Sequence, residues 1–210
     1  MPEFHFSILP LSQAVAWNVF SASSKKLQEN GLYLAGGTAL ALQIGHRQSI
    51  DFDFFSQKRG LRSKIYDWLE SCPDFIVRDM DENTLHAELK KIKVSFIGNF
   101  RYPLIQKPVR FEGVTLASIA DIGLMKLLAI THRATLRDYI DLAAILRTFA
   151  LQKLLKLSRK KYGPRFNLMI PLKALVSFED LDEEMPILLD KRLKKNWREI
   201  LKKSVKEVSR

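Results

Sequence analysis

Residues 49–55 alternate, and the alternation leaves this stretch of chain one natural conformation. In a strand, Ile50, Phe52 and Phe54 face one side while Ser49, Asp51, Asp53 and Phe55 face the other. Polar chemistry and core are thereby separated. Asp51 and Asp53 point the same way, roughly 6 to 7 Å apart at Cα. At about 6 Å and an effective dielectric near 20, their repulsion is on the order of 3 kcal/mol, which favours either protonating one acid or binding a cation between them. Magnesium suits such a pair, because it prefers oxygen ligands and is commonly held by one or two carboxylates plus substrate phosphates. Taken alone, two Asp residues on an exposed strand face are also simply solvated.

The preceding residues narrow the choice. Residues 32–35 are apolar, Gly36-Gly37 forms a sharp turn, and residues 38–44 have helical spacing opened by a Thr38 cap. A strand, a glycine turn and a helix amino terminus can cradle phosphate with bare backbone NH groups, and two glycines let backbone approach a ligand closely. The alternative is an ordinary tight turn. Between the helix and the acidic strand lies His46-Arg47-Gln48-Ser49, which sets a positive charge suited to phosphate and a hydroxyl beside the carboxylates.

The 210 residues are 47% hydrophobic, enough for a full core in one domain or a domain with an appendage. Lys and Arg number 34 against 23 Asp and Glu, and the net charge of +11 favours polyanionic partners, although basic proteins without nucleic-acid partners exist. Cys72 is the sole cysteine, which excludes an intrachain disulfide and a cysteine zinc cluster. Met1-Pro2-Glu3-Phe4-His5 carries no export signal and no stretch approaches a membrane span, so a cytoplasmic protein without membrane contact is expected.

Residues 11–30 have helical spacing with Val15, Trp17, Val19, Phe20 and Leu27 offered to a core, and Asn30-Gly31 stops the helix. A helix over 61–71 precedes strands at 75–78, 85–89 and 92–97, and 111–115 reads as a last strand. Helices follow at 118–132, 136–150, 153–162 and 186–208. The last one exposes Lys191, Arg192, Lys194, Lys195, Arg198, Lys202 and Lys203, a solvated face or an RNA contact. Lys126 sits among Leu124, Met125, Leu127 and Leu128, where it must either snorkel or meet an anion. Arg133 follows on nearly the same face. Asp138 and Asp141 are helical neighbours able to pair with Arg133 or Arg137. His5, His86 and His132 share no ligand spacing, and Trp17, Trp68 and Trp197 read as core.

Gly36-Gly37-Thr38-Ala39-Leu40-Ala41-Leu42, then His46-Arg47, then Ser49, Asp51, Asp53 and Phe55 at alternate positions, resemble the nucleotidyltransferases of the abortive-infection AbiEii toxin type. A second match is Asp121-Ile122-Gly123-Leu124-Met125-Lys126, Arg133, and Arg137-Asp138-Tyr139-Ile140-Asp141-Leu142, similar to the family's helical Lys motif and its R-D-x-x-D-L motif. The resemblance spans the chain to about Leu146. It implies a polymerase-beta-like fold in which Asp51 and Asp53 hold Mg²⁺ or Mn²⁺, Gly36, Gly37, Thr38, Arg47, Ser49 and Arg133 bind the nucleoside triphosphate, and Lys126 and Asp138 take part in catalysis. It also implies an RNA acceptor, transfer RNA first, and a toxin role restrained by an antitoxin protein.

Many polymerase-beta-like enzymes carry a third carboxylate on a later strand to deprotonate the acceptor; here residues 91–97 offer Ser95 in its place. The expected architecture is α/β (α+β), a small mixed nucleotidyltransferase sheet with helices over residues 1–115. A mainly helical domain over 116–210 is expected to complete the active-site cleft. The expected activity is nucleotidyl transfer. Alternatives are a non-catalytic nucleotide- or RNA-binding module, or a transferase acting on a protein or small molecule.

Overall fold

In the computed structural model, which describes residues 4–72, 74–133, 135–179, 181–182 and 184–208, Phe52 and Phe54 are fully buried while Asp53 and Phe55 keep partial access to solvent. Met1, Pro2 and Glu3, part of the terminus read above for an export signal, lie outside the described residues. After a 3₁₀ turn at Phe6–Ile8 come α1 (Leu11–Ala22), α2 (Ser24–Glu29), β1 (Tyr33–Ala35), α3 (Gly36–Ile44), β2 (Phe52–Phe55) and α4 (Leu61–Glu70). Next are β3 (Phe75–Met80), β4 (Thr84–Leu89), β5 (Ile92–Ile97), β6 (Val109–Phe111) and β7 (Val114–Leu116). The rest is helical: α5 (Ile119–Ala129), α6 (Leu136–Leu146), α7 (Leu151–Tyr162), α8 (Met169–Ala174) and α9 (Lys191–Val208). Two compact units result. One comprises Met1–Ile44, Gln48–Pro103 and Lys107–Ala117; the other comprises Gly45–Arg47, Leu104–Gln106 and Ser118–Arg210.

The first unit is built on a mixed seven-stranded sheet of order β3-β4-β5-β2-β1-β7-β6. β2 runs parallel to β5 and antiparallel to β1, so the acidic strand is central and its Phe52 and Phe54 must be covered. α1 covers them: the Phe20 ring lies 5.0 Å from Phe52 and 4.9 Å from Phe54, edge-on. Phe54 stacks on Phe96 of β5 at 5.4 Å, and Trp68 of α4 meets Phe96 from another side. Rings of this size contribute about 1.5–3 kcal/mol each on full burial, so the aromatic cluster fixes which face of β2 is apolar.

Three expectations need correction in this unit. Residues 11–30 form two helices broken at Ser23, and Val15 lies on the exposed side while Val19 is half-buried; Ala16, Trp17, Phe20 and Leu27 make the core face. The strand expected at 111–115 is the hairpin β6–β7, turned at Glu112 and Gly113, whose φ of 46° and 82° match a tight antiparallel turn. The strand expected over 49–55 starts only at Phe52, and Ile50, expected on its core face, is exposed. β1 ends at Ala35 opposite Asp53, so no backbone remains beyond it to pair with residues 49–51.

The helical unit packs α6 against both α5 and α9, and α5 against α7. Gly123 of α5 makes the last contact close, since a Cβ there would sit 3.2 Å from Leu154 of α7. In α9, Leu193, Trp197, Leu201 and Ser204 are buried at helical spacing, with Trp197 held edge-on by Tyr139 and Phe178. The eight Lys and Arg of this helix are exposed. The helix expected from 186 begins at Lys191, because the segment before it is committed elsewhere: Leu188 bridges Arg47, and the amides of Leu189 and Asp190 both donate to the His46 carbonyl at 3.0 Å. Among the described residues, no helix is long and apolar enough to cross a membrane.

Candidate active site

The chain leaves β1 through Gly36, whose φ of +71° is a left-handed conformation that favours glycine. A Cβ at Gly36 would lie 2.9 Å from Asp53 Oδ2. The carboxylate therefore occupies the space a side chain would need, and glycine is required there twice over. Gly36 and Gly37 begin α3, so their backbone lies at a helix amino terminus with an acid beside it. Thr38 consequently sits inside the first turn of α3 and does not precede it as a cap. Its buried hydroxyl donates to the Asp51 carbonyl instead, tying the segment before β2 to the glycine turn. Asp51, Asp53 and Ser49 are all half-buried. Gly36→Ala should cost about 1–2 kcal/mol of unfolding free energy, read by denaturant titration, from its positive φ alone. Its effect on any chemistry that needs Asp53 should be larger, because the new methyl must displace that carboxylate; equal loss of stability and activity would contradict this close approach.

The polar row continues along the sheet. Asp53 pairs with Ser95 on β5, so the position searched for a third acid is confirmed to hold a hydroxyl next to Asp53. Ser95 pairs in turn with His86 on β4, and His86 Nδ1 lies 3.1 Å from Ser95 Oγ. Sequence spacing gave no reason to single out His86. The β4–β5 register is the signal that does.

In the helical unit, Asp141 is the centre of a buried ionic cluster. Arg47 grips it with two nitrogens, Nε at 2.6 Å from Oδ1 and Nη2 at 2.9 Å from Oδ2, while His46 Nε2 lies 2.8 Å from Oδ1 and Lys126 Nζ 2.7 Å from Oδ2. Lys126 also donates to Asp138 at 2.6 Å, and Arg133 Nε reaches the other Asp138 oxygen at 2.8 Å. Lys126 thus neither snorkels nor faces solvent; the anions it meets are the protein's own. Arg47, expected beside phosphate, is likewise buried on a carboxylate. Of the cations placed in the site from sequence, Arg133 is the exposed one, with 63% of its side chain accessible. Asp141, which the sequence offers beside Asp138 as an ion-pairing acid, is the one that gathers Arg47, His46 and Lys126. The three-residue spacing that puts both acids on one face of α6 was the available signal. Asp121, in the same sequence motif as Lys126, accepts from the amides of Ile105 and Gln106 at 2.8 and 2.9 Å and from buried Lys161 at 2.8 Å.

Burial alone would raise the Asp141 pKa, but Lys126 and Arg47 outweigh it and hold the carboxyl well below its ordinary value. Burial also penalises a charged Lys126, yet Asp141 and Asp138 raise its pKa above the usual range. For His46 burial wins over the Asp141 hydrogen bond and the pKa falls, so the ring is neutral near pH 7. Three cations therefore face two carboxylates, an excess of positive charge exposed at Arg133. The unfolded chain protonates His46 before the folded one does. Stability from neutral His46 is whole above about pH 6.5 and is lost as pH falls toward the folded pKa; that from Asp141 is whole above about pH 3.9 and is lost on further acidification. Urea midpoints measured between pH 8 and 5 should decline, and the decline should be shallower in His46→Gln. An identical slope in both would remove His46 from this account.

A family profile described as "Nucleotidyl transferase AbiEii toxin, Type IV TA system" matches residues 19–210. The chain is 38% identical over 162 residues to the uncharacterized protein aq_aa25 of Aquifex aeolicus, covering 74% of this chain and 78% of that protein. Among solved structures it is similar in fold to MenT4, a nucleotidyltransferase toxin from Mycobacterium tuberculosis, with a TM-score of 0.61, 18% identity, and coverage of 94% of this chain and 84% of that one. It is also similar to ANT(2'')-Ia, solved in complex with adenylyl-2''-tobramycin, with a TM-score of 0.53, 12% identity, and coverage of 70% and 96%. Strand, glycine turn with Asp53 against it, and helical Lys-Asp cluster thus occur in a chain matched over nearly its whole length: it belongs to the AbiEii family of nucleotidyl transferase toxins of type IV toxin–antitoxin systems.

Proposed function

We propose that this chain transfers a nucleoside monophosphate from a nucleoside triphosphate to a hydroxyl of RNA, transfer RNA foremost, and that this chemistry in the cytoplasm is the toxic activity an antitoxin protein counters. The observation that carries the reading is the Asp53 carboxylate seated against bare Gly36, with Asp51 tied to the same turn through Thr38. Two carboxylates with no third His, Cys, Asp or Glu, the arrangement among the described residues, suit a hard divalent cation that completes its shell with water and phosphate. They do not suit zinc. Asp51 and Asp53 would hold Mg²⁺, or Mn²⁺ in its place. When bound, the ion supplies charge neutralisation at the phosphates and acidity at the acceptor hydroxyl.

The remaining work belongs to the chain. Backbone at Gly36 and Gly37 receives phosphate at the amino terminus of α3, and Thr38 keeps Asp51 in register with that turn. Ser49, half-buried ahead of the acids, contributes a hydroxyl to the same site. In the helical unit, Asp138, itself held by Lys126, accepts from Arg133, whose exposed guanidinium binds a phosphate. The net charge of +11 and the basic face of α9 support a polyanionic acceptor.

A small-molecule acceptor is the second reading, raised by the fold likeness to ANT(2'')-Ia. The charge argues against a cationic amino sugar, which this surface would repel. The protein is to be incubated with each α-labelled triphosphate, Mg²⁺ and total RNA, then treated with ribonuclease or protease. Label that enters a ribonuclease-sensitive product, and is lost with chelator, is the expected result; no incorporation from any of the four triphosphates would sink the reading.

A further inference from the structure

The sheet row that contains Asp53 reads, from β1 outward, Ala35, Asp53, Ser95, His86, Asp79. Directly paired residues share a face of the sheet, and here it is the polar one. The opposite face takes Phe52, Phe54, Val94, Phe96, Leu85 and Ala87 into the core. Ser95 stands directly beside Asp53, and its hydroxyl is no base at neutral pH. The next side chain along the row is an imidazole, and it is already hydrogen-bonded to that hydroxyl.

We propose that His86 is the general base of the transfer and that Ser95 is the residue that positions it; this rests on the nucleotidyl-transfer reading above. Ser95 Oγ accepts from His86 Nδ1–H, which leaves the ring's lone pair on Nε2. His86 is exposed, so Nε2 is open to an incoming acceptor. Two strand spacings place its Cα about 10 Å from that of Asp53, a gap that the imidazole and an acceptor hydroxyl at the α-phosphate together can span. In the step itself, the acceptor oxygen forms a bond to the α-phosphorus while the bond from that phosphorus to the bridging oxygen breaks. Pyrophosphate departs with that electron pair, and the hydroxyl proton passes to Nε2.

A hydrogen-bonded pair on an exposed strand face contributes little to stability, so His86→Ala should fold like wild type. With α-labelled triphosphate, Mg²⁺ and total RNA as probes, its kcat should fall by about 10²-fold or more, with the KM for triphosphate changed by no more than about two-fold. Added imidazole should restore part of the rate to His86→Ala and none to Asp53→Asn. Nitrogen-15 spectra of the His86 ring should show the proton on Nδ1 in wild type. An undiminished kcat, an absence of imidazole rescue, or a proton resident on Nε2 would each overturn the assignment. Asp53→Asn run in parallel separates the two claims. If it is inactive while His86→Ala is unimpaired, only the base falls; if wild type transfers no label, or Asp53→Asn transfers as well as wild type, nucleotidyl transfer at this site falls and the base with it.

Discussion

Asp53→Asn should reduce nucleotidyl transfer by about 10³-fold or more, and Asp51→Asn should do nearly the same, while both variants fold. The expected size follows from the proposed role: removing a group aimed at charge that develops in the transition state typically costs about 10²–10³ in rate, and on that proposal the loss takes a cation's ligand with it. Asparagine keeps the shape of the side chain, so the close fit of residue 53 against Gly36 survives. Neutralising one acid of a pair also relieves repulsion. The unfolding free energy without metal should therefore hold or rise, by well under about 1 kcal/mol because both acids are only half-buried. Growth of an expressing bacterium supplies the biological reading. A passive RNA binder of net charge +11 could slow growth by coating nucleic acid, and Asp53→Asn, one negative charge poorer, would coat it at least as well. Growth inhibition by the variant equal to that of wild type would assign toxicity to binding and end the enzymatic claim; a harmless variant at equal expression assigns it to chemistry.

What could be read from sequence followed local periodicity. The alternation at Phe52 and Phe54 named the buried face of β2, the three strands over 75–97 were placed to within a few residues, and Gly36-Gly37 was recognised as the junction of a strand and a helix. These features depend on neighbours in the chain. What was misplaced depends on partners distant in sequence. The start of β2 is set by where β1 ends, and the start of α9 by backbone that residues 188–190 share with His46 and Arg47. No pattern within 186–190 announces that pairing.

The same distinction divides the site. Asp53 and the glycine turn lie within eighteen residues, and their approach follows from a strand, a glycine turn, a helix and an antiparallel strand in succession. Arg47 looked like a phosphate ligand because it stands four residues from Asp51 in sequence, yet its partner Asp141 lies 94 residues away. Lys126 looked exposed or anion-seeking because a lone lysine among leucines must be one or the other. Only the register of α5 against α6 shows that two carboxylates meet it. His86 was passed over for the converse reason: its neighbours in sequence are uninformative, and its neighbour across the ladder is Ser95.

Asp141→Ala should destabilise the helical unit by about 3–5 kcal/mol, the usual cost of removing one partner from a buried ion pair. The substitution takes from Arg47 and Lys126, both nearly inaccessible, a carboxylate that each of them holds, and leaves Asp138 on Lys126. The bidentate geometry makes the loss larger than a point-charge contact would, since two hydrogen bonds vanish together. Asp141→Asn should cost less, because the amide oxygen still accepts from one donor. The comparison that isolates charge from packing is the double variant Lys126→Met with Asp141→Leu, which removes a cation and its anion together. It should be less destabilised than the sum of its single variants. Urea unfolding of all four proteins measures this. Nucleotide titration of Lys126→Met, at a temperature where it is fully folded, then gives the residue's second property. Since Asp138 and Asp141 already hold the Lys126 ammonium, affinity for triphosphate should change little, whereas Arg133→Ala, at the exposed cation proposed to bind phosphate, should weaken that affinity without loss of fold. If Asp141→Ala unfolds at the wild-type urea concentration, the cluster is not what holds α5 to α6. If folded Lys126→Met has lost triphosphate affinity, the ammonium leaves its carboxylates for the nucleotide, and the structural role given to it here is wrong.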